Sequence, residues 1–104
     1  MAGPAVAADT ESLKIISFDP TESAAGKPFN QQPDGTSAIR VIPGRVNRNL
    51  LVVFDQSFLP TIVADNAITA SVPAALYATK GEHKIYFVDG MTGEASPSVV
   101  FHSR

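Results

Sequence analysis

Residues 68–89 of the 104-residue chain read ITASVPAALYATKGEHKIYFVD, and the periodicity of this stretch changes twice. It opens with alternating apolar and polar residues, a pattern typical of a half-buried strand. Pro73 ends the alternation, because a proline has no amide hydrogen to donate to a neighbouring strand. A segment compatible with one helical turn follows, near residues 73–79, and alternation resumes at His83. The pattern predicts two strands joined by a helical turn.

Short runs of strand character also lie on both sides of this stretch. Leu50–Phe54 is continuously apolar, which favours a strand buried on both faces. Proline, glycine and aspartate separate the runs, and no segment keeps a helical period over three turns. We therefore predict an all-β domain, a two-sheet antiparallel β-sandwich with about seven strands. The predicted strands span 13–18, 37–42, 50–54, 58–63, 67–72, 83–88 and 98–102.

The length of the chain favours a single domain. Residues 1–12 are rich in alanine and carry no periodicity, so we assign them to a flexible N-terminal segment and residues 13–104 to one folded domain. Hydrophobic residues make up 44% of the chain, which is ordinary for a globular domain. No apolar run approaches the roughly 18 residues of a membrane helix, so we expect no membrane insertion.

The charge balance argues against nucleic acid as a partner. Eight basic residues stand against ten acidic residues, so there is no basic excess to neutralise phosphates. The closest approach to a basic patch has no interleaved aromatic residues and is expected to be a solubilising rim. Its members are Lys14, Arg40, Arg45 and Arg48. The chain also has no cysteine, which excludes thiolate metal sites, thiol nucleophiles and disulfides.

Candidate catalytic and metal-binding residues are few. His83 and His102 lie at the ends of predicted strands, where we expect them to be exposed, and a zinc site would need further ligands. The loop carboxylates lack the alternate spacing of a calcium loop. Ser57 and Ser98 do not lie in the G-x-S-x-G motif of a hydrolase nucleophile. We therefore predict no catalytic residue, no metal, no cofactor and no enzymatic activity.

The order of motifs over residues 13–102 resembles the IPT/TIG domain, an immunoglobulin-like sandwich of bacterial surface proteins, cell-surface receptors and some transcription factors. The most specific match follows the family's I-T-A-x-V-P-A-x-L…G run. It consists of Ile68-Thr69-Ala70, Val72-Pro73-Ala74, Leu76 and Gly81. The resemblance implies that the helical turn carries the chain from one sheet to the other, with Leu76 over the open end of the core.

The chain departs from the family pattern before the second predicted strand. A long polar segment containing PFNQQPDG, residues 28–35, lies between Asp19-Pro20 and Ser37. Phe29 is its one large apolar residue and is expected to anchor the segment to the core. An additional edge strand around Phe29 is an alternative. Loops carried on a rigid sandwich commonly bind ligands.

The resemblance implies a non-catalytic structural or interaction module, part of a larger exported or surface-associated bacterial protein. Its location would be extracellular, cell-surface or periplasmic, and its partner another protein or neighbouring domains of the same chain. Self-association is a further expectation, because Pro60 weakens the strand at 58–63 and marks it as a sheet edge.

The alternative is a module that binds a carbohydrate or a protein ligand through loops around residues 26–36. The candidate contact residues are Asn30, Gln31, Gln32, Tyr77 and Tyr86. Tyrosines can stack on ligands, but we favour packing roles for both of them. Tyr86 is expected to be partly buried on its strand, and Tyr77 to cover the turn between the sheets.

Overall fold

The computed structural model describes residues 13–104, so the predicted flexible segment at residues 1–12 lies outside the described residues. Within the described part, nine strands and one helical turn follow one another along the chain. They are β1 Ile15–Asp19, β2 Glu22–Ser23, β3 Ser37–Pro43, β4 Leu50–Phe54, β5 Ser57–Phe58, β6 Thr61–Val63, β7 Ile68–Val72, α1 Ala74–Tyr77, β8 Gly81–Asp89 and β9 Val99–Ser103. No helix among these residues is long and apolar enough to cross a membrane.

The strands form two sheets, which confirms the prediction of an all-β sandwich. One sheet has the order β1-β3-β7-β6 and the other β2-β9-β8-β4-β5. This is the immunoglobulin arrangement: β1, β3, β7 and β6 take the places of strands A, B, E and D, while β4, β8 and β9 take those of C, F and G. The sequence did not predict β2 and β5, which have only two residues each.

The strand pairs are antiparallel with one exception. β2 runs parallel to β9, with Glu22 opposite His102 and Ser23 opposite Ser103. The chain pairs with β3 as far as Asp19 and then moves to the other sheet without reversing its direction. That change of sheet, which the sequence did not predict, is why one pair is parallel.

The core lies between the sheets and consists of side chains at alternate positions of the central strands. Ile39, Ile68, Phe54, Phe87 and Phe101 have no exposed surface. Removing this apolar surface from water is the main stabilisation of such a fold. The continuous apolar run of β4 is only partly buried on both faces. Val53 is 1% exposed, whereas Leu51 on the same outer face is 37% exposed.

The helical turn predicted near residues 73–79 is confirmed. The amide of Leu76 donates to the carbonyl of Pro73 at 3.0 Å, and the turn connects β7 of the first sheet with β8 of the second. Gly81 begins β8 with φ of 128°, a conformation that favours glycine. Leu76 is partly buried against the core, but Tyr77 is buried more deeply, at 2% exposed. Tyr77 therefore closes this end of the core.

The predicted single strand at 58–63 is wrong. β5 pairs with β4 in the second sheet, whereas β6 pairs with β7 in the first sheet. Between them, the buried Leu59 donates its amide to the carbonyl of Val52 at 2.9 Å. Pro60 has no amide hydrogen for a ladder, so the segment changes sheets at this point.

Candidate functional site

The polar insertion ahead of β3 is a set of turns, and no strand forms near Phe29. Phe29 holds the insertion to the core, because its ring centroid lies 5.1 Å from that of Tyr77 and 5.2 Å from that of Phe101. Its amide also donates to the hydroxyl of Ser37 at 3.0 Å. The middle of the insertion is thus attached to the core of the sandwich.

The tip of the insertion is held by two short-range hydrogen bonds to a carboxylate. Asp34 Oδ1 accepts from the hydroxyl of Thr36 at 2.6 Å and from its backbone amide at 3.0 Å. These two bonds, the hydroxyl bond first, lower the pKa of Asp34. Gly35 has a φ of 89°, which suits glycine in this tight turn.

The three polar residues predicted to contact a ligand lie in this insertion. Asn30 donates its side-chain amide to the carbonyl of Ala38 at 3.2 Å, and Gln32 donates its own to the carbonyl of Asn30 at 2.7 Å. The Asn30 side chain therefore ties the loop to β3, and the Gln32 side chain acts within the loop. Gln31 is exposed. As ligand contacts, the three residues stay a prediction.

The two tyrosines are not near each other in the fold. Tyr77 is a core residue at 2% exposed, so its ring offers no face to a ligand and it is no longer a candidate contact. Its role as a cover on the crossover turn is the packing role that the sequence favoured. Tyr86 is partly buried on the outer face of the five-stranded sheet. The insertion and Tyr86 thus do not form one site.

Tyr86 belongs to an apolar surface that the sequence analysis missed. Cross-strand pairing places Tyr86 and Phe58 opposite Val53, and Val88 opposite Leu51. We call these five residues the β8–β4–β5 face. Phe58 is 63% exposed, so much of its apolar surface is in water. Leu51 is also exposed, Tyr86 and Val88 are partly buried, and Val53 is covered by its neighbours. Apolar side chains that adjoin one another across strands in this way mark an interaction site more often than scattered apolar residues do.

The sequence carried only part of the signal for this face. Tyr86 and Val88 sit at outward positions of a predicted strand, so its alternation indicated a surface location, whereas Leu51 belongs to the run predicted to be buried on both faces. Phe58 was assigned to the wrong strand, and its pairing with Val53 depends on the tight turn at Asp55. Asp55 has a φ of 57°, which is uncommon for a residue other than glycine.

His83 is buried, which corrects the prediction of an exposed strand-end histidine. It is 6% exposed, and its ring stacks on Phe54 with centroids 5.1 Å apart. Nδ1 lies 2.8 Å from Asp55 Oδ2, and Nε2 lies 2.8 Å from the carbonyl oxygen of Thr79. Both partners are acceptors, so the ring satisfies both only when each nitrogen carries a proton.

The surroundings of His83 favour the protonated ring. Burial acts to lower the pKa of His83, but the hydrogen bonds to Asp55 and to the Thr79 carbonyl, together with the charge of Asp55, outweigh it. The net effect raises its pKa above the ordinary value. Asp55 is fixed in turn, because its second oxygen accepts from the amide of Lys84 at 3.0 Å. The His83 ring therefore joins two turns.

The two histidines do not come together as metal ligands. β8 and β9 are neighbours, but His83 pairs with the core residue Phe101, whereas His102 pairs with the exposed Glu82. Successive positions on a strand face opposite sides of the sheet, so the two rings lie on opposite sides. Among residues 13–104, no group of three or more His, Asp or Glu side chains could hold a metal ion.

Comparison with known proteins finds no family model and no curated protein that matches the chain.

Proposed function

We propose that the chain is a non-catalytic immunoglobulin-like module of the IPT/TIG type. It serves as a structural or interaction domain of a larger exported or surface-associated bacterial protein, in an extracellular, cell-surface or periplasmic location. Two features support this proposal. The strand order is that of an immunoglobulin sandwich, and the run at residues 68–81 forms the crossover turn that the family resemblance implies.

The observation that carries the proposal is the β8–β4–β5 face. It lies on three hydrogen-bonded strands, so its side chains are presented on a rigid surface. Burying apolar surface contributes about 25 cal/mol for each Å² removed from water. Its mixed aliphatic and aromatic side chains suit the apolar centre of a protein interface, where aromatic residues are enriched. The partner is another protein or a neighbouring domain of the same chain.

The polar insertion supports a second candidate function, binding of a carbohydrate or a protein ligand. The observation that favours it is the exposed Gln31 on a loop held by Phe29 and Asp34. Replacement of Asn30, Gln31 and Gln32 by alanine tests this alternative on a glycan array. Binding by the natural chain that disappears in the triple variant is the expected result. An array with no signal from the natural chain contradicts it.

Photo-crosslinking in the full-length parent protein tests the main proposal. Phe58 and, separately, Ile62 are replaced with p-benzoylphenylalanine. Ile62 is the matched control, because it is 71% exposed but lies on β6 of the other sheet. We expect position 58 to crosslink to one defined protein or neighbouring domain, and position 62 to give no product with that species. Equal products from both positions, or none from either, would contradict the assignment of the face.

A further inference from the structure

The outer edge of β9 is covered along only part of its length. The amide of His102 donates to the carbonyl of Thr21 at 3.0 Å, and the amide of Arg104 donates to the carbonyl of Ser23 at 2.8 Å. Backbone groups of a strand alternate between its two edges, so those of Val100 point to the same edge as those of His102. Within residues 13–104, no strand pairs with that edge beside Val100.

The path of the chain explains why this edge is open. β1 pairs with β3 in the first sheet through Asp19, and pairing with β9 begins only at Glu22. The chain makes the change between sheets at Pro20 and Thr21. Among the described residues 13–104, no strand therefore continues the line of β2 opposite the first half of β9. An unpaired strand edge of this kind is a template for another chain.

An apolar groove lies next to this open edge. It has a volume of about 530 Å³ and lies between the start of β1 and the segment that leads into β9. Leu13, Ile15 and Val99 line it and also pack against the core, and Ala95 and Pro97 complete the apolar lining. A volume in this range is typical of ligand pockets. The groove can thus receive apolar side chains from a strand placed beside β9.

We propose that the β9 edge and this groove bind an extended segment of a partner polypeptide by strand addition. The main chain of the partner pairs with the N–H and C=O of Val100, and its apolar side chains at alternate positions enter the groove. The added strand continues the line of β2, which already occupies the same edge at His102 and Ser103. The inference rests on the proposed interaction function and specifies the chemistry of one partner.

Amide hydrogen exchange of the full chain measures this binding directly. The probe is a capped peptide, Lys-Thr-Val-Thr-Val-Thr-Lys, which alternates apolar and polar side chains. We expect the Val100 amide to exchange at least about tenfold more slowly at millimolar peptide, because the added strand bonds to it. Chemical shifts of Ala95 and Val99, which line the groove, should change in the same titration.

Two substitutions at one position separate backbone pairing from side-chain effects. Val100→Pro removes the amide hydrogen at the open edge, whereas Val100→Thr keeps it and is also β-branched. We expect the threonine variant to bind the peptide like the natural chain, and the proline variant at least about tenfold more weakly. Equal binding by the two variants would overturn the proposal.

Other results of the titration are equally decisive. No slowing at Val100 in the natural chain, or shifts confined to another edge such as Thr61–Val63, would overturn the proposal. Protection of Val100 that grows with protein concentration and without peptide would identify a second copy as the occupant, again against the proposal. The photo-crosslink at position 58 does not involve this edge. A crosslink without peptide binding would therefore refute strand addition and leave the proposed function standing.

Discussion

At the residue scale, His83 is the side chain whose protonation matters most. Its two ring nitrogens face a carboxylate on the β4–β5 turn and a carbonyl oxygen on the turn after α1. The rings of Phe54 and Phe101 that pack near it carry no charge. Loss of one proton would leave a lone pair against one of the two acceptors, and the link between the turns would weaken.

The raised pKa of His83 predicts a pH dependence of stability. The folded-state pKa lies above the unfolded value of about 6.5, so the stabilisation is fully present below that pH and is lost as the pH rises through the folded-state pKa. We expect the free energy of unfolding of the natural chain, minus that of His83→Gln, to fall as the pH is raised over this window. Urea unfolding at a series of pH values measures it.

His102→Gln is the control for the His83 experiment, because His102 lies on the neighbouring strand and outside the core. A pH-dependent difference of the same size in His102→Gln would show that the effect does not belong to the buried ring of His83. If the difference in free energy of unfolding between the natural chain and His83→Gln does not change with pH, the result would contradict a link between the two turns through protonated His83.

Tyr77 and Tyr86 provide a second residue-scale prediction. Tyr77→Ala should lower the free energy of unfolding by about 3–5 kcal/mol, as expected for removal of a buried aromatic ring. Tyr86→Ala should lower the free energy of unfolding clearly less, because the Tyr86 ring is only partly buried. Denaturant unfolding of the two variants measures both values. Equal losses would show that Tyr77 does not close the core as described.

At the scale of the elements, the insertion between β2 and β3 depends on one aromatic anchor. The Phe29 ring contacts Tyr77 and Phe101, while the polar hydrogen bonds of the insertion are mostly between near neighbours in sequence. The sequence predicted this anchor role, because Phe29 is the only large apolar residue in a polar segment. It did not predict the absence of a strand, since turn formation depends on the Asp34 and Asn30 hydrogen bonds.

Phe29→Ala should therefore release the insertion with limited effect on the sheets. We expect amide exchange across residues 26–36 to accelerate strongly, and the free energy of unfolding to fall by about 2 kcal/mol, less than for a fully buried ring. Gln31→Ala is the control and should change neither quantity, because Gln31 is exposed. Unchanged exchange in the Phe29 variant would show that the loop is held by its polar bonds instead.

At the scale of the whole molecule, local periodicity predicted the sandwich but not its surfaces. The alternation of β3, β7 and β8 and the proline at the end of β7 are local signals, and the structure has them as predicted. β2 and β5 have two residues each, too short to show a period. The β8–β4–β5 face is assembled by pairing Phe58, Val53 and Tyr86 from three strands. Burial of His83 likewise requires Asp55, which is distant in sequence.

The central claim is that this module acts by binding through the β8–β4–β5 face. The most direct test is the affinity of the chain for the protein or domain crosslinked at position 58, measured by titration calorimetry with Phe58→Ser and Ile62→Ser. Both side chains are mostly exposed, so both variants should remain folded. We predict that Phe58→Ser binds at least about tenfold more weakly and that Ile62→Ser binds like the natural chain. Equal affinities of the two variants would contradict the claim.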